Sequence, residues 1–269
     1  MTAWRMDAPE LFGGFHIVAS LIAAAAAVCL AMWYAKRVRE ADKPFEKLVK
    51  ILAVMGPVLA VLEIYKQFFL YYIVCNGTYD WWYFPFQLCS VPMYLCILLP
   101  VMVPRSQRVF VTFLGGYAFT GAVATLIYPE DILRSYTALT LHGFVWHGIL
   151  LFISLLILFT GKADSSAPGL RKAASMFAVM CLFALMINVV AEPLAQAAHV
   201  AEPAVRHSYA AMFYLNPFHI SPQPVISTIQ KTAGIPAGLV LYSLVTAAVS
   251  SLVIRLQTAL PGSHRDASK

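Results

Sequence analysis

Hydrophobic residues in this chain are gathered into runs of about 20, each long enough to cross the hydrocarbon core of a bilayer as an α-helix. Connections that hold proline, glycine and charged residues separate these runs. The pattern predicts seven membrane-spanning helices, at residues 12–35, 48–73, 84–103, 109–127, 139–160, 172–195 and 236–257. The predicted fold class is therefore all-α: a polytopic membrane protein, with a bundle of seven transmembrane helices as a single transmembrane domain over residues 1–269.

The composition agrees with this pattern. Of the 269 residues, 60% are hydrophobic and only 12% are charged, with a mean hydropathy of +0.73, whereas a soluble domain carries about 25% charged residues. The first apolar run lacks a basic leader and a small-residue cleavage site, so it is predicted to remain as a span. The chain is expected to be a multi-pass protein of the cell membrane, in a bacterial plasma membrane.

Lysine and arginine are divided unevenly between the two sets of connections. One side holds 14 of them, six of which lie between residues 36 and 50, and the other side holds only four. Because basic residues accumulate on the cytoplasmic side of membrane proteins, the N-terminus is predicted outside and the C-terminus in the cytoplasm. The net charge of +6 then follows from topology, so no nucleic-acid partner is expected.

Polar and ionisable side chains within the predicted spans lie almost entirely in the outer half of the bundle. Such groups are costly in hydrocarbon, so they mark a functional interior or a water-filled cavity. The set comprises His16, Glu63, Lys66, Gln87, Cys89, His142, His147, Asn188 and Glu192. The longest connection, 196–235, is predicted either to cover the outer mouth of the bundle or to lie along the lipid interface.

Cys89 and His147 reach similar depths from the outer ends of their spans, about 7 and 12 Å at 1.5 Å per helical residue. A buried thiol is a poor nucleophile because the thiolate is disfavoured there, and an imidazole that takes its proton removes that obstacle. The pair predicts acyl transfer, against the alternative that Cys89 is a small core residue. Gln87, His142 or backbone N–H groups near Pro85 would orient the pair or stabilise an oxyanion.

The remaining polar residues favour supporting roles. Glu63 and Lys66 are three residues apart on one helix and can neutralise each other, so they are expected to support the pocket or to hold a lipid phosphate. Asn188 and His16 would line the pocket or support it. No HExxH or HxxxH pair is present and the histidines come from different spans, so no metal site and no cofactor is expected.

Three stretches carry a resemblance to a known family. They are Phe84-Pro85-Phe86-Gln87-Leu88-Cys89-Ser90, the Gly/Ala-rich run GYAFTGAVATLIYP at 116–129, and LHGFVWHG at 141–148. Together with MFYL at 212–215, they resemble the YwaF/TMEM164 family of multi-span membrane proteins, over roughly residues 10–257. Gln87 stands where bacterial relatives often have histidine.

The resemblance implies a function. The animal member of that family is described as an acyltransferase that moves fatty acyl chains between phospholipids, with a Cys nucleophile and a His that would map onto Cys89 and His147. The chain is thus expected to be a membrane-embedded lipid acyltransferase or transacylase, whose Cys–His dyad lies in the outer half of the bundle. Membrane phospholipids would be the acyl donor and acceptor, and the oligomeric state is unknown.

The alternative is a small-solute transporter or a ligand-binding membrane receptor, in which Glu63, Lys66, Asn188 and Glu192 line a polar intramembrane pocket. Transporters usually contain internal repeats, and no convincing repeat occurs here. The last predicted span has no lysine that could hold retinal. A subunit with purely structural polar contacts is a third reading.

Overall fold

The computed structural model describes residues 4–198 and 209–257, and the statements below concern these residues. The helices, in chain order, are α1 (Gly14–Arg39), α2 (Pro44–Phe69), α3 (Val91–Leu98), α4 (Pro104–Phe113), α5 (Phe119–Ile127), α6 (Thr137–Thr160), α7 (Ala167–Ala197), α8 (Pro224–Ala233) and α9 (Ile235–Leu256). Over the described ranges there is no strand beyond one bridge between Arg5 and Tyr136. The all-α prediction is confirmed for this part of the chain.

Six helical segments are long and apolar enough to cross a membrane, which makes the chain a multi-pass membrane protein. They are α1, α2 with the π-helical turn Leu70–Val74, α4 and α5 joined by the π-helical turn Leu114–Ala118, α6, α7 and α9. These segments correspond to six of the seven predicted spans, with ends shifted by a few residues. The orientation with the N-terminus outside stays a prediction.

The third predicted span, 84–103, is wrong as a continuous helix. Residues 84–90 are not helical, and α3 with the 3₁₀ turn Leu99–Val101 covers only the second part of the segment. Proline explains the difference. A longer helix would place Pro92 in its interior, where it lacks a donor and clashes with the preceding turn, and the residue before Pro85 disfavours helical geometry. A complete bundle of seven helical spans is therefore not found in the described residues.

A close approach between α2 and α3 fixes the position of the short helix. A β-carbon added at Gly56 of α2 would lie 2.7 Å from the backbone nitrogen of Ile97 in α3. Only glycine allows the two backbones to come this near. The segment that precedes α3 is consequently held beside the middle of the bundle.

α6 is the central helix. Its residues Leu150, Ile153, Leu156 and Ile157 have no exposed surface, and α1 and α5 both pack against it. The two histidines of this helix are therefore carried into the interior of the bundle.

The long connection between α7 and α8 reaches into the bundle where it is described, and residues 199–208 of the predicted cover lie outside the described residues. Met212 and Phe213 are buried in a 3₁₀ turn, Met212–Tyr214. The ring of Phe213 stacks on Phe86, with centroids 5.8 Å apart, and on Phe177 at 6.1 Å. This turn forms one wall of the interior.

Candidate functional site

A cavity of about 240 Å³ lies between α2, residues 82–90, α5, α6 and the start of α8. Its walls include Cys89, His147, His142, Gln87 and Lys66, so five of the sequence-predicted residues meet there. Ala124 of α5 also lines the cavity and is exposed, which indicates that the cavity opens toward the outside of the bundle along α5.

Cys89 lies in the turn that leads into α3. The N–H groups of Ser90 and Val91 both donate to the carbonyl oxygen of Gln87, at 2.8 and 3.2 Å, so this turn is wound like the start of a helix. The N–H group of Leu88 donates to no acceptor within the described ranges, and that of Cys89 lies within hydrogen-bond reach of the Cys89 sulfur. Free N–H groups at a helix start favour negative charge, so they suit a thiolate and a developing oxyanion.

A hydrogen bond from α6 holds this turn in place. The indole Nε1 of Trp146 donates a hydrogen bond of 3.1 Å to the carbonyl oxygen of Cys89. Trp146 is buried, whereas Cys89 is half-buried with surface toward the cavity. The residue that follows Trp146 is His147, so the thiol and the imidazole belong to segments that a direct hydrogen bond connects.

One hydrogen bond sets the tautomer of the buried His147. Its Nδ1 donates to the carbonyl oxygen of Gly143 at 2.8 Å, because a carbonyl oxygen can only accept. Nε2 is then the basic nitrogen of the neutral ring, and it has no partner in the part of the chain described. No hydrogen bond joins the Cys89 sulfur to this ring among the described residues. Catalytic contacts of this kind are often long before the substrate binds.

A hydrogen bond and a ring contact hold the side chain of His142 in place. Its Nε2 donates to the carbonyl oxygen of Leu62 at 3.1 Å, and its ring stacks on Trp146 with centroids 5.7 Å apart. Because this N–H is already used, the neutral ring has no proton left to give to an oxyanion. His142 instead braces the indole that holds Cys89.

Gln87 connects two walls of the cavity. Its amide nitrogen lies 3.4 Å from the carbonyl oxygen of Trp82 and 3.2 Å from that of Ala211, and its amide oxygen accepts from the N–H of Phe213 at 3.0 Å. Both amide protons are thereby directed at backbone carbonyls. The side chain orients the Cys89 turn relative to the 209–223 connection.

The 209–223 connection is held in a strained conformation beside the cavity. Phe213 and Tyr214 both have positive φ angles, 55° and 57°, which are costly for residues with side chains. Asn188 fixes the preceding residue: it donates to Met212 O at 3.1 Å and accepts from Met212 N at 2.6 Å. The hydroxyl of Tyr214 donates to the carboxylate of Asp131.

Glu63 and Lys66 form the ion pair that their spacing predicted, with Nζ 2.9 Å from Oε1. Gln67 donates to the same carboxylate oxygen at 2.7 Å and to the carbonyl oxygen of Tyr83 at 2.6 Å. Glu63 is buried behind the cavity wall, while Lys66 reaches the cavity itself. The pair thus links α2 to the segment that carries Cys89.

Four of the polar residues in the predicted outer-half set do not line the cavity: Glu63, described above, and Asn188, Glu192 and His16. Asn188 is fully buried against Met212. Glu192 accepts hydrogen bonds from His219 at 2.6 Å and Asn216 at 3.2 Å. His16 binds the carbonyl oxygen of Leu126 at 3.1 Å. In the described part of the chain these groups connect helices to one another or to loops.

Sequence reasoning assigned no site role to several other polar residues of the cavity wall, among them Asp131, Arg134, Tyr214 and Tyr242. Asp131 and Arg134 belong to the short connection after Pro129, which could be identified only as an outer loop. One signal was available, since both charges directly follow the Gly/Ala-rich stretch that carries part of the family resemblance. Among the residues that the structure describes, no group of three or more His, Cys, Asp or Glu is placed to hold a metal ion.

Comparison with known proteins gives one match. A family model described as the TMEM164 family matches residues 11–254, nearly the whole chain. No curated protein and no solved structure matches it. The resemblance that the sequence motifs indicated is therefore confirmed at the level of the family.

Proposed function

The chain belongs to the TMEM164 family, and we propose that it is a membrane-embedded lipid acyltransferase or transacylase with Cys89 as nucleophile and His147 as general base. The observation that carries the proposal is that both side chains line one cavity of about 240 Å³. The Trp146–Cys89 hydrogen bond supports it, because it holds the two segments in a fixed relation.

In the first step, the Cys89 sulfur attacks the ester carbonyl carbon of a donor phospholipid, and Nε2 of His147 takes the thiol proton. A tetrahedral intermediate forms and collapses, with cleavage of the bond between the carbonyl carbon and the glycerol oxygen. The protonated imidazole gives its proton to the departing alkoxide. The products are an S-acyl thioester on Cys89 and a lysophospholipid.

In the second step, the hydroxyl group of an acceptor lipid attacks the thioester. His147 takes the hydroxyl proton, the bond between carbon and sulfur breaks, and the thiolate regains the proton from His147. The acyl chain is then esterified to the acceptor, and the enzyme has returned to its starting state. No oxidant, reductant or cofactor enters this cycle.

The N–H groups of Leu88 and Cys89 are the proposed oxyanion donors. They belong to the turn that carries the nucleophile and have no acceptor in another residue of the described chain, whereas the side-chain donors of Gln87 and His142 are engaged with backbone carbonyls. Lys66 also lines the cavity, and a cation close to a thiol favours the thiolate.

The experiment follows acyl exchange on labelled phospholipid in proteoliposomes. Cys89→Ser is expected to reduce exchange to background, and His147→Ala to slow it by about 10²–10⁴-fold, the usual size of a general-base contribution. Cys181→Ser is the matched control, because Cys181 is also a half-buried free cysteine but does not line the cavity. Wild-type exchange in both Cys89→Ser and His147→Ala would reject the proposal.

A further inference from the structure

Arg134 presents an incompletely satisfied guanidinium group at the cavity. Its Nε donates to the carbonyl oxygen of Asp131 at 2.9 Å, and its guanidinium carbon lies 4.9 Å from the ring centroid of Tyr83. Neither terminal nitrogen donates a hydrogen bond within the described part of the chain, and Nη2 is buried. An unpaired guanidinium in such a place is costly, and its geometry matches a phosphate or carboxylate.

Lys66 is the second cation on the cavity wall. Its ammonium group has three donors, and among the described residues Glu63 alone binds it, at 2.9 Å. Lys66 and Arg134 both line the cavity, and a chain of contacts connects them. Gln67 donates to Glu63 and to the Tyr83 carbonyl, and Arg134 lies over the Tyr83 ring.

The acidic residues near Lys66 and Arg134 either accept a hydrogen bond already or do not line the cavity. Asp131 lines the cavity and accepts the hydroxyl proton of Tyr214. The lining contains two cations and one acid, Asp131. Glu63, which pairs with Lys66, and Asp80, whose carboxyl group lies near Arg134, are buried outside it. A single anionic group in the cavity would meet both cations.

We propose that Arg134 and Lys66 form a subsite for a phosphodiester group, the headgroup linkage of a glycerophospholipid. The identification of the ligand as a glycerophospholipid rests on the proposed function. A phospholipid whose phosphate lies in this subsite would present one of its esters to Cys89. Phosphate bound between two cations in an apolar bundle is held by charge-assisted hydrogen bonds. Basic pockets between membrane helices are known to bind lipid headgroups in this way.

Binding is measured with the full-length Cys89→Ser protein in detergent, so that no acyl transfer interferes. The probes are dioctanoyl phosphatidylglycerol, dioctanoylglycerol, which lacks the phosphate, and inorganic phosphate. Arg134→Gln is expected to weaken binding of the phosphatidylglycerol by about tenfold or more, the usual loss for a charge-assisted hydrogen bond. Binding of dioctanoylglycerol should not change.

Two further variants sharpen the comparison. The Glu63→Gln, Lys66→Gln double variant removes the second cation without leaving a buried charge, and the same selective loss is expected. Lys231→Gln is the matched control, because Lys231 is exposed on α8 and lies outside the cavity. It should bind like its parent.

The inference is overturned if Arg134→Gln binds phosphatidylglycerol like its parent, or if it loses affinity equally for both lipids. If inorganic phosphate also binds, and Arg134→Gln weakens that binding to the same extent, the subsite is supported and the free anion is a ligand too. If inorganic phosphate does not bind, the site is specific for the lipid. Acyl exchange by the wild-type protein is measured in parallel. Absent exchange with Arg134-dependent binding would reject the transferase and retain the subsite.

Discussion

The indole of Trp146 is hydrogen bonded to the backbone of Cys89: Nε1 donates to the carbonyl oxygen at 3.1 Å. This single contact connects the non-helical approach to α3 with the central helix α6, one residue before His147. It holds the backbone of Cys89 against α6. The proposed nucleophile is thus positioned through its main chain, which leaves its side chain free to react.

Trp146→Phe tests this positioning role, because phenylalanine keeps an aromatic ring but has no donor. The maximal rate of acyl exchange is expected to fall about tenfold through misplacement of the thiol, with little change in the concentration of lipid needed for half-maximal rate. Trp33→Phe is the control, since Trp33 is exposed on α1. Equal rates in wild type and Trp146→Phe would show that the hydrogen bond has no catalytic consequence.

Asn188→Leu tests whether the hydrogen bonds of Asn188 hold the 209–223 connection in place. The change removes two hydrogen bonds and leaves the N–H of Met212 buried without a partner, whereas the Met212 carbonyl oxygen still accepts from the N–H of Leu215 at 3.0 Å. The free energy of unfolding is expected to fall by about 1–3 kcal/mol, and the Met212 amide should exchange with deuterium faster. Met186→Leu, on the exposed face of the same helix, should leave both quantities unchanged. An unchanged exchange rate at Met212 would contradict the assignment.

Gly56→Ala tests whether α3 is held in place by its contact with α2. The new β-carbon would meet the backbone of Ile97 at 2.7 Å, and backbone cannot move aside as a flexible side chain can. A loss of about 1–3 kcal/mol is expected, together with reduced acyl exchange because the Cys89 turn shifts with α3. Gly14→Ala is the control, with no atom within 4 Å of its β-carbon. Thermal unfolding in detergent and exchange assays decide the outcome.

Asp80 makes stability depend on pH. Its carboxyl group is buried, and Oδ2 has no hydrogen-bond partner in the described residues. Burial raises the pKa of Asp80 from 3.8 to about 6, although the Trp82 N–H and the charge of Arg134 act in the opposite direction. The folded protein therefore binds more protons than the unfolded chain between these values, so the free energy of unfolding falls as pH rises from about 4 to about 6.

Asp80→Asn should remove that slope and increase the free energy of unfolding above pH 6 by about 3 kcal/mol. Thermal unfolding of the detergent-solubilised protein from pH 4 to pH 8 measures the effect. Asp7→Asn, at an exposed position, serves as the control and should follow the wild-type curve. A slope that persists in Asp80→Asn would mean that another group causes it.

The sequence predicts most of the helical framework, because runs of apolar residues define spans directly. It also predicts that Cys89, His142 and His147 lie at similar depth, and the structure brings all three to one cavity. The break at 84–90 was missed because hydropathy does not register the backbone restrictions of Pro85 and Pro92. The sequence predicted, as one of two alternatives, that the 196–235 connection covers the outer mouth of the bundle, but it could not predict that Phe213 and Tyr214 line the cavity. That placement depends on hydrogen bonds of Gln87 and Asn188 with residues far along the chain.

The family assignment could be reached from motifs, whereas the cations of the cavity required coordinates. Arg134 looks in the sequence like any basic residue of an outer loop. Only its unpaired guanidinium nitrogens, beside the Tyr83 ring and in the lining of the same cavity as Lys66, distinguish it from a solvated charge.

Mass spectrometry of the intact protein after brief exposure to a phospholipid with a labelled acyl chain tests the acyl-enzyme mechanism most directly. The account predicts an added mass equal to one acyl group, mapped by peptide analysis to Cys89 and released by hydroxylamine, as expected for a thioester. The adduct should be absent in Cys89→Ser and should form much more slowly in His147→Ala. Acyl exchange that continues at the wild-type rate in Cys89→Ser, with no adduct on any residue, would contradict the account.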